Sequence, residues 1–492
     1  MEKTWATSGG APEGVPGAAE AFPGDGAGAG VDFHLDLSGP GGVRASLIRA
    51  LRDAVRSGRL APGSRLPSSR TLAADLGLAR NTVADAYGEL VAEGWLTARQ
   101  GSGTRVARRA AARAPERRTP PVRTPPRPVY NLRPGTADVS AFPRAAWLAA
   151  ARRAVAAAPN DAFGHVDERG RTELRTALAG YLARARGVHA DPERIVVCSG
   201  FTQGLGLVSR VLRERGTREM GVEEYGLWFH REALERAGLR CLPMPLDGQG
   251  ADVGVLEGGK AAARSVLITP AHQFPTGVPL HPDRRAAVVD WAARTGGTIL
   301  EDDYDGEFRY DRQPVGCLQG LSPERIVYFG TASKALAPGL RLAWMVLPEH
   351  LAGEVLAHKR AGEWSSGALE QLTLAEFITS GAYDRHVRAM RLRYRRRRDR
   401  LVEVLAERAP HIKVTGIAAG LHAVLELPPG TEHPTLQAAA WEGLALEGLS
   451  RLRCTPAPDA APSGLIVGYG TPPDHAFPGA LEALLRVLPP AE

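Results

Sequence analysis

The chain has 492 residues, a net charge of +7, and 44% hydrophobic against 23% charged residues. That length argues for two or three soluble domains, and no uninterrupted apolar run reaches the roughly 18 residues needed to span a membrane. The four cysteines stand far apart, with no CxxC pair and no His/Cys cluster, so neither a disulfide framework nor a metal site is expected. The basic balance permits a polyanionic partner without requiring one. No basic head followed by an apolar run marks a signal peptide, and a cytoplasmic location is expected.

Residues 1–31 are rich in Gly, Ala and Pro and carry too little apolar area to offset the entropy of ordering, which predicts a disordered tail. From Val43 the texture changes: Leu47, Leu51, Ala54 and Val55 recur at helical spacing, and Ser57-Gly58 stops the run. Ser68 or Ser69 then caps a short helix with Leu72, Ala73 and Leu76, broken at Gly77. A second helix runs from about Arg80 to Ala92 with Val83, Ala86, Tyr87 and Leu90 on one face. Two short helices around a glycine turn are a helix-turn-helix signature. Trp95–Ala98 and Thr104–Val106 flank Arg99-Gln100-Gly101-Ser102-Gly103, the pattern of a hairpin with glycines at its tip.

The stretch RLPSSRTLAADLGLARNTVADAYGELVAEGWLTARQGSGTRV resembles the winged-helix DNA-binding domain of GntR-type regulators. The resemblance implies that the second helix of the pair enters the major groove of an operator and that the hairpin is a wing. It puts Arg80, Asn81 and Thr82 at bases and phosphates, Arg70 at the backbone or groove edge, and Arg65 and the amides near Gly101 at phosphates. Ser69 belongs to the same DNA-binding set. One departure is Ala79, where the family usually places a Ser or Thr cap. The domain is expected over 32–107. An Arg/Pro-rich linker over 108–129 follows, with seven arginines against Glu116 alone, a composition drawn to phosphates or simply solvated.

From 130 to 492 short apolar strands alternate with helices, the texture of an α/β domain. Arg194–Cys198 runs into Ser199-Gly200-Phe201-Thr202-Gln203-Gly204, a strand-to-helix turn that offers backbone N–H groups to a phosphate. Gly297–Leu300 delivers Asp302 and Tyr304; Ile326–Phe329 delivers Ser333, Lys334 and then Arg341. A lysine past one strand with an acid past its neighbour is what pyridoxal 5'-phosphate (PLP) requires. The amine forms a Schiff base with the aldehyde, and the acid keeps the pyridine nitrogen protonated. Ser333 and Arg341 would hold the phosphate.

The segments VCSGFTQGL, LITPAHQFPTGVPL, ILEDDYDGEFRY and YFGTASKALAPGLRLAWMV resemble the fold-type I, aspartate aminotransferase-like PLP enzymes. The whole chain resembles MocR/GabR-type regulators, which fuse that fold behind a GntR-type winged helix. The fold class implied is a winged helix-turn-helix plus an α/β fold-type I PLP-dependent transferase-like domain. Carried over by motif, Lys334 is the Schiff-base lysine, Asp302 the partner of the pyridine nitrogen, and Tyr304 the donor to the ring hydroxyl. Phe201, Thr202, Ser333 and Arg341 hold the phosphate, and His165 takes the place of a tyrosine that reaches the partner subunit's phosphate.

Three departures bear on function. Phe274 stands where enzymes of this fold carry an asparagine. Leu227 stands where an aromatic should cover the pyridine ring, unless Trp228 or Tyr225 substitutes. Leu465 falls about where aminotransferases place the arginine that grips the substrate carboxylate, a contact worth a few kcal/mol. The basic run RHVRAMRLRYRRRRDR (385–400) reads as a long helix with Val387, Met390 and Leu401 on one side, and its arginines as a solvated or interdomain-pairing face with auxiliary DNA contact as the alternative. The expected function is a homodimeric, DNA-binding transcriptional regulator in which PLP, or an amino compound reacting at Lys334, modulates operator binding. An active aminotransferase with an accessory DNA-binding domain, and a DNA-binding protein whose PLP fold only dimerises, are the competing readings.

Overall fold

The computed structural model describes residues 35–37, 41–99, 101–108, 128–164, 167–256, 263–310, 316–362, 367–455 and 462–491. The tail over 1–31, nearly all of the linker over 108–129, and His165 therefore lie outside the described residues. The chain divides into two compact units, Met1–Pro125 and Pro126–Glu492.

The first unit is built from α1 (Val43–Arg56), α2 (Ser69–Leu76) and α3 (Arg80–Ala92), followed by β1 (Leu96–Arg99) and β2 (Gly103–Val106). The i, i+4 spacing read in α1 buries Leu47, Leu51, Ala54 and Val55 against Leu72, Val83 and Leu90. Of the two candidate caps for α2, Ser68 does the work: its hydroxyl accepts from Thr71 N at 3.1 Å, and Ser69 is the first helical residue. Gly77, at φ 64°, ends α2 in the left-handed conformation that glycine adopts without strain. At α3 the N-cap is Ala79, with no side-chain cap. The hairpin pairs Leu96 with Val106 and Arg99 with Gly103, one residue longer at the tip than expected.

The second unit is organised by a seven-stranded sheet. Its strands are β3 (Ile195–Cys198), β4 (Glu219–Glu223), β5 (Arg240–Met244), β6 (Ser265–Ile268), β7 (Thr298–Asp302), β8 (Ile326–Thr331) and β9 (Ala343–Val346). They lie in the order β3-β9-β8-β7-β6-β4-β5, parallel except for β9. Apolar cores on its faces explain why these strands read as continuous apolar runs rather than alternating ones. A second sheet, antiparallel, comprises β10 (Lys413–Thr415), β11 (Ala423–Leu427), β12 (Glu447–Gly448) and β13 (Ser463–Val467) in the order β10-β11-β13-β12.

The basic run lies in one helix, Ala382–Arg408, and Val387, Met390 and Leu401 are buried as read. The arginines do not simply cover the rest. Arg397 is buried and pairs with Asp138 at 2.8 Å and Asp474 at 2.5 Å, Arg393 reaches Asp474 at 3.0 Å, and Arg391 donates to Glu307 O at 2.8 Å. Much of this charge is spent inside its own domain.

Candidate functional site

The carboxyl ends of the parallel strands converge on one place, as they do in open α/β sheets generally. From β3 come Gly200, Phe201 and Thr202; from β4, Glu223; from β6, Thr269; from β7, Asp302 and Tyr304; from β8, Thr331, Ser333 and Lys334. Arg341 arrives just before the antiparallel β9, whose first residue pairs with both Thr331 and Cys198. All of them line a cavity of about 230 Å³. The seven expected cofactor residues within the described chain are thus brought together.

At one end of the cavity stands the start of helix α4 (Phe201–Glu214), a 14-residue helix whose N-cap Gly200 provides no side-chain cap, an arrangement suited to an anion. Arg341 occupies a left-handed conformation, φ 52°, rare for a residue with a side chain. Its guanidinium lies against Gly200, where any side chain would collide with it. Thr331 supports the same corner: its hydroxyl donates to Ser333 Oγ at 2.9 Å and accepts from Ser333 N at 3.1 Å.

At the other end, the Lys334 amine donates to Gly135 O. Burial holds the amine below the usual lysine range, with Asp302 and Asp305 opposing that shift. Burial raises the Asp302 carboxyl well above its usual value; Lys334 pulls it down, while Asp303, Asp305 and Glu223 push it up. Among the described residues no side chain or amide donates a hydrogen bond to that carboxylate. Half-buried at the cavity wall without a donor, this acid is placed to receive one from a ligand, and a cationic pyridine N–H would supply it. With an amine, an acid and an anion cup around one cavity, the residues present fit PLP.

Several residues here escaped the sequence reading. Glu223 accepts from Thr269 Oγ1 at 2.6 Å and Thr269 N at 3.2 Å, and burial lifts its carboxyl to about 7. His230 lines the cavity with its ring centroid 4.5 Å from that of Phe201. Burial, then Lys334 and Arg231, lower it to about 3, so it is neutral. His422 also lines the cavity and is lowered to about 4 by burial, with its Nε2 3.0 Å from Pro275 O. A lone histidine gives no signal in sequence; HQFPTG was visible, but nothing there said which way His272 points.

Two expectations about the ligand-facing wall are sharpened. Leu227 and Tyr225 line the cavity, whereas Trp228 is exposed, with the Arg451 guanidinium 6.0 Å from its ring centroid. Trp228 is therefore no substitute for the covering aromatic; the rings that line the cavity near Leu227 are Tyr225, Phe229 and His230. The expectation for Leu465 is corrected. In β13 successive side chains face opposite ways. Leu465 packs into the core that holds Leu425 and Leu484, while Ile466 packs behind the cavity wall with Phe274, Val424 and Leu449, against Tyr225, Leu227 and Tyr304. Neither Leu465 nor Ile466 lines the cavity itself.

In the first unit Arg65, Arg70, Arg80 and Asn81 are exposed, Ser69 and Thr82 half-buried, and Gly101 takes φ 84° at the hairpin tip. No ion pair engages Arg65, Arg70 or Arg80 among the described residues, whereas Arg44 and Arg52 bind Glu89 and Glu93 at 2.5 and 2.7 Å.

Comparison with known proteins accounts for both units. Residues 44–106 match the family of bacterial regulatory proteins, gntR family, and residues 131–458 match aminotransferase class I and II. The HTH-type pyridoxine biosynthesis transcriptional regulator PdxR of Corynebacterium glutamicum is 33% identical over 88% of this chain and 93% of its own. The probable rhizopine catabolism regulatory protein MocR of Rhizobium meliloti is 31% identical over 88% of this chain and 91% of its own. Among solved structures, a kynurenine aminotransferase of Pyrococcus horikoshii superposes with a TM-score of 0.66 at 23% identity, covering 73% of this chain and 90% of that one. A multiple substrate aminotransferase of Thermococcus profundus does so with 0.66 at 22%, covering 75% and 92%, which shows the shared fold. The chain belongs to the MocR-type transcriptional regulators, in which a GntR-family helix-turn-helix is fused to an aminotransferase class I domain.

Proposed function

We propose that this regulator holds PLP in its second unit and uses the occupied cavity to control operator binding by the first. When bound, PLP supplies an aldehyde that condenses with amines and a ring that withdraws electrons. Lys334 presents the amine, whose pKa burial lowers from the usual lysine range. Asp302 receives the pyridine N–H, Tyr304 donates to the ring oxygen, and Phe201, Thr202, Ser333 and Arg341 bind the phosphate. Output comes from Arg65, Ser69, Arg70, Arg80, Asn81, Thr82 and Gly101 on double-stranded DNA. The observation that carries the reading is the convergence of Lys334, Asp302, Tyr304, Thr202, Ser333 and Arg341 on one cavity, in a chain whose first unit exposes Arg65, Arg70 and Arg80 on a helix-turn-helix.

The effector is PLP itself or an amino compound that displaces Lys334. The relative named as a regulator of pyridoxine biosynthesis favours the first. The acting species is a homodimer, since GntR-type domains read paired half-sites. Exposed Leu148, Val155 and Phe163 offer an apolar face for a second copy. A ligand shifts the DNA-binding equilibrium only by its differential affinity for the two arrangements. The test is operator retardation with and without PLP, in the wild type and in Lys334→Ala. Equal retardation in all four cases sinks the proposal.

A further inference from the structure

The motifs HQFPTG and EDDYDGEFRY meet behind the cavity wall. His272, from the first, and Asp305, from the second, are both almost wholly buried, with Nδ1 2.9 Å from Asp305 Oδ2. The Tyr304 hydroxyl lies 3.1 Å from the same Nδ1. Tyr304 lines the cavity; His272 and Asp305 stand one layer back. The pair is locked in from the C-terminal sheet. Gly420, at φ 72°, passes so close that a β-carbon there would overlap His272 and lie 2.6 Å from Asp305 Oδ2. Tyr310 and Tyr469 both donate to Gly420 O, at 2.5 and 2.8 Å.

With Asp305 ionised, its carboxylate only accepts, and the proton between it and His272 belongs to Nδ1. That N–H is shared with the Tyr304 oxygen, which then accepts from the imidazole. The phenolic proton is left with two acceptors, the Asp305 carboxylate beside it and, on the cavity side, the ring oxygen of a bound cofactor.

We propose that His272 and Asp305 are positioning residues which orient the Tyr304 hydroxyl as a donor to the ring oxygen of the cofactor. The proposal rests on the PLP reading above. It assigns a purpose to the two motifs that anchoring alone leaves unused. The charged and titratable groups around Tyr304 are Asp302 and Asp305 from its own strand end, Glu223 from β4, Lys334 from β8, His272 from the loop after β6, and His422 from the C-terminal sheet.

Asp305→Asn tests it with nearly unchanged shape. The neutral amide no longer fixes the Nδ1 proton between the two side chains: donating to Nδ1, it leaves the imidazole without an N–H for Tyr304, and the hydroxyl loses the contact that holds it. PLP titrated into the full chain, followed by the visible absorption of the lysine conjugate, is the readout. Asp305→Asn should weaken PLP binding about tenfold, the equivalent of one hydrogen bond, and shift the pH at which the visible band changes. Tyr304→Phe should do the same, and the double variant should be no worse than either. His272→Asn, which keeps an N–H near the Nδ1 position, should bind PLP within about threefold of wild type, while His272→Leu should match Tyr304→Phe. Losses that add in the double variant, or wild-type binding by Asp305→Asn, overturn the proposal. A wild-type chain that gives no visible band with PLP overturns the cofactor reading and this inference together; a wild-type band with an indifferent Asp305→Asn overturns the inference alone.

Discussion

The guanidinium of Arg341 fills the space in front of Gly200 that a side chain would need: a β-carbon on Gly200 would stand 2.9 Å from Nη2. The backbone of Arg341 is left-handed, and relief of such a clash comes from its side-chain torsions, which carry the guanidinium away from Gly200. Gly200→Ala should therefore push the guanidinium off the phosphate position. A charge-assisted contact is worth about 1.5–3 kcal/mol, so PLP affinity should fall roughly 10- to 100-fold. A fluorescence titration with PLP checks this, with the fold monitored by circular dichroism.

Two carboxyls in the second unit carry a pH signature. Burial raises Glu301 and Glu223 from 4.5 to about 7, opposed for Glu301 by N–H donors of Leu318 and Gln319 and for Glu223 by Thr269 and Gln273. Between those values the folded chain holds protons that the unfolded chain has released. Stability should thus be fully present below about 4.5, fall as pH rises through 7, and level off for these groups above it. Thermal melts of the cofactor-free protein across that range measure the slope. Glu301→Gln should flatten it, at a cost of about 1–3 kcal/mol where one backbone N–H loses its acceptor.

On the DNA-facing side, free and paired arginines should behave differently. Arg80→Ala should cost about 1–3 kcal/mol in operator affinity or reduce its salt dependence, according to whether it reads a base or a phosphate. Arg52→Ala breaks only the surface pair with Glu93 and should change stability by no more than about 1 kcal/mol, leaving retardation unaltered. Equal effects of the two would remove the functional distinction between them.

Gly420→Ala should destabilise the second unit by about 1–3 kcal/mol from backbone strain at φ 72°, with added overlap against His272. Because that glycine seals the His272–Asp305 pair, PLP binding should weaken along with the melting temperature. A control at Gly430, also at positive φ but with open space around it, should lose stability alone.

The helix-turn-helix and the cofactor anchors were legible because each is written in local pattern. Helical spacing fixed α3 to the residue, and the strand-then-polar rhythm located Asp302 and Lys334. What stayed hidden depends on side-chain direction. Leu465 and Ile466 are adjacent, both apolar and both in a buried strand, so only the pleat separates the one in the large core from the one packed behind Phe274 and Tyr304. His230 is a single ring in a helix whose cavity face is set by packing against Phe201. Arg397 sits in a run of arginines and is told apart from its neighbours only by Asp138 and Asp474, the first of them hundreds of residues away.

The bare start of α3 has a thermodynamic meaning of its own. With Ala79 as the cap, the amides of Arg80 and Asn81 find no acceptor within the described chain. An unmet donor pair at the positive end of a helix dipole is open to an oxygen from outside, and a DNA phosphate is such an oxygen. If Arg80–Thr82 meet an operator as proposed, one of its phosphates completes the helix. Contact with DNA should slow hydrogen exchange in the first turn of α3, so that docking and local folding are measured as one event.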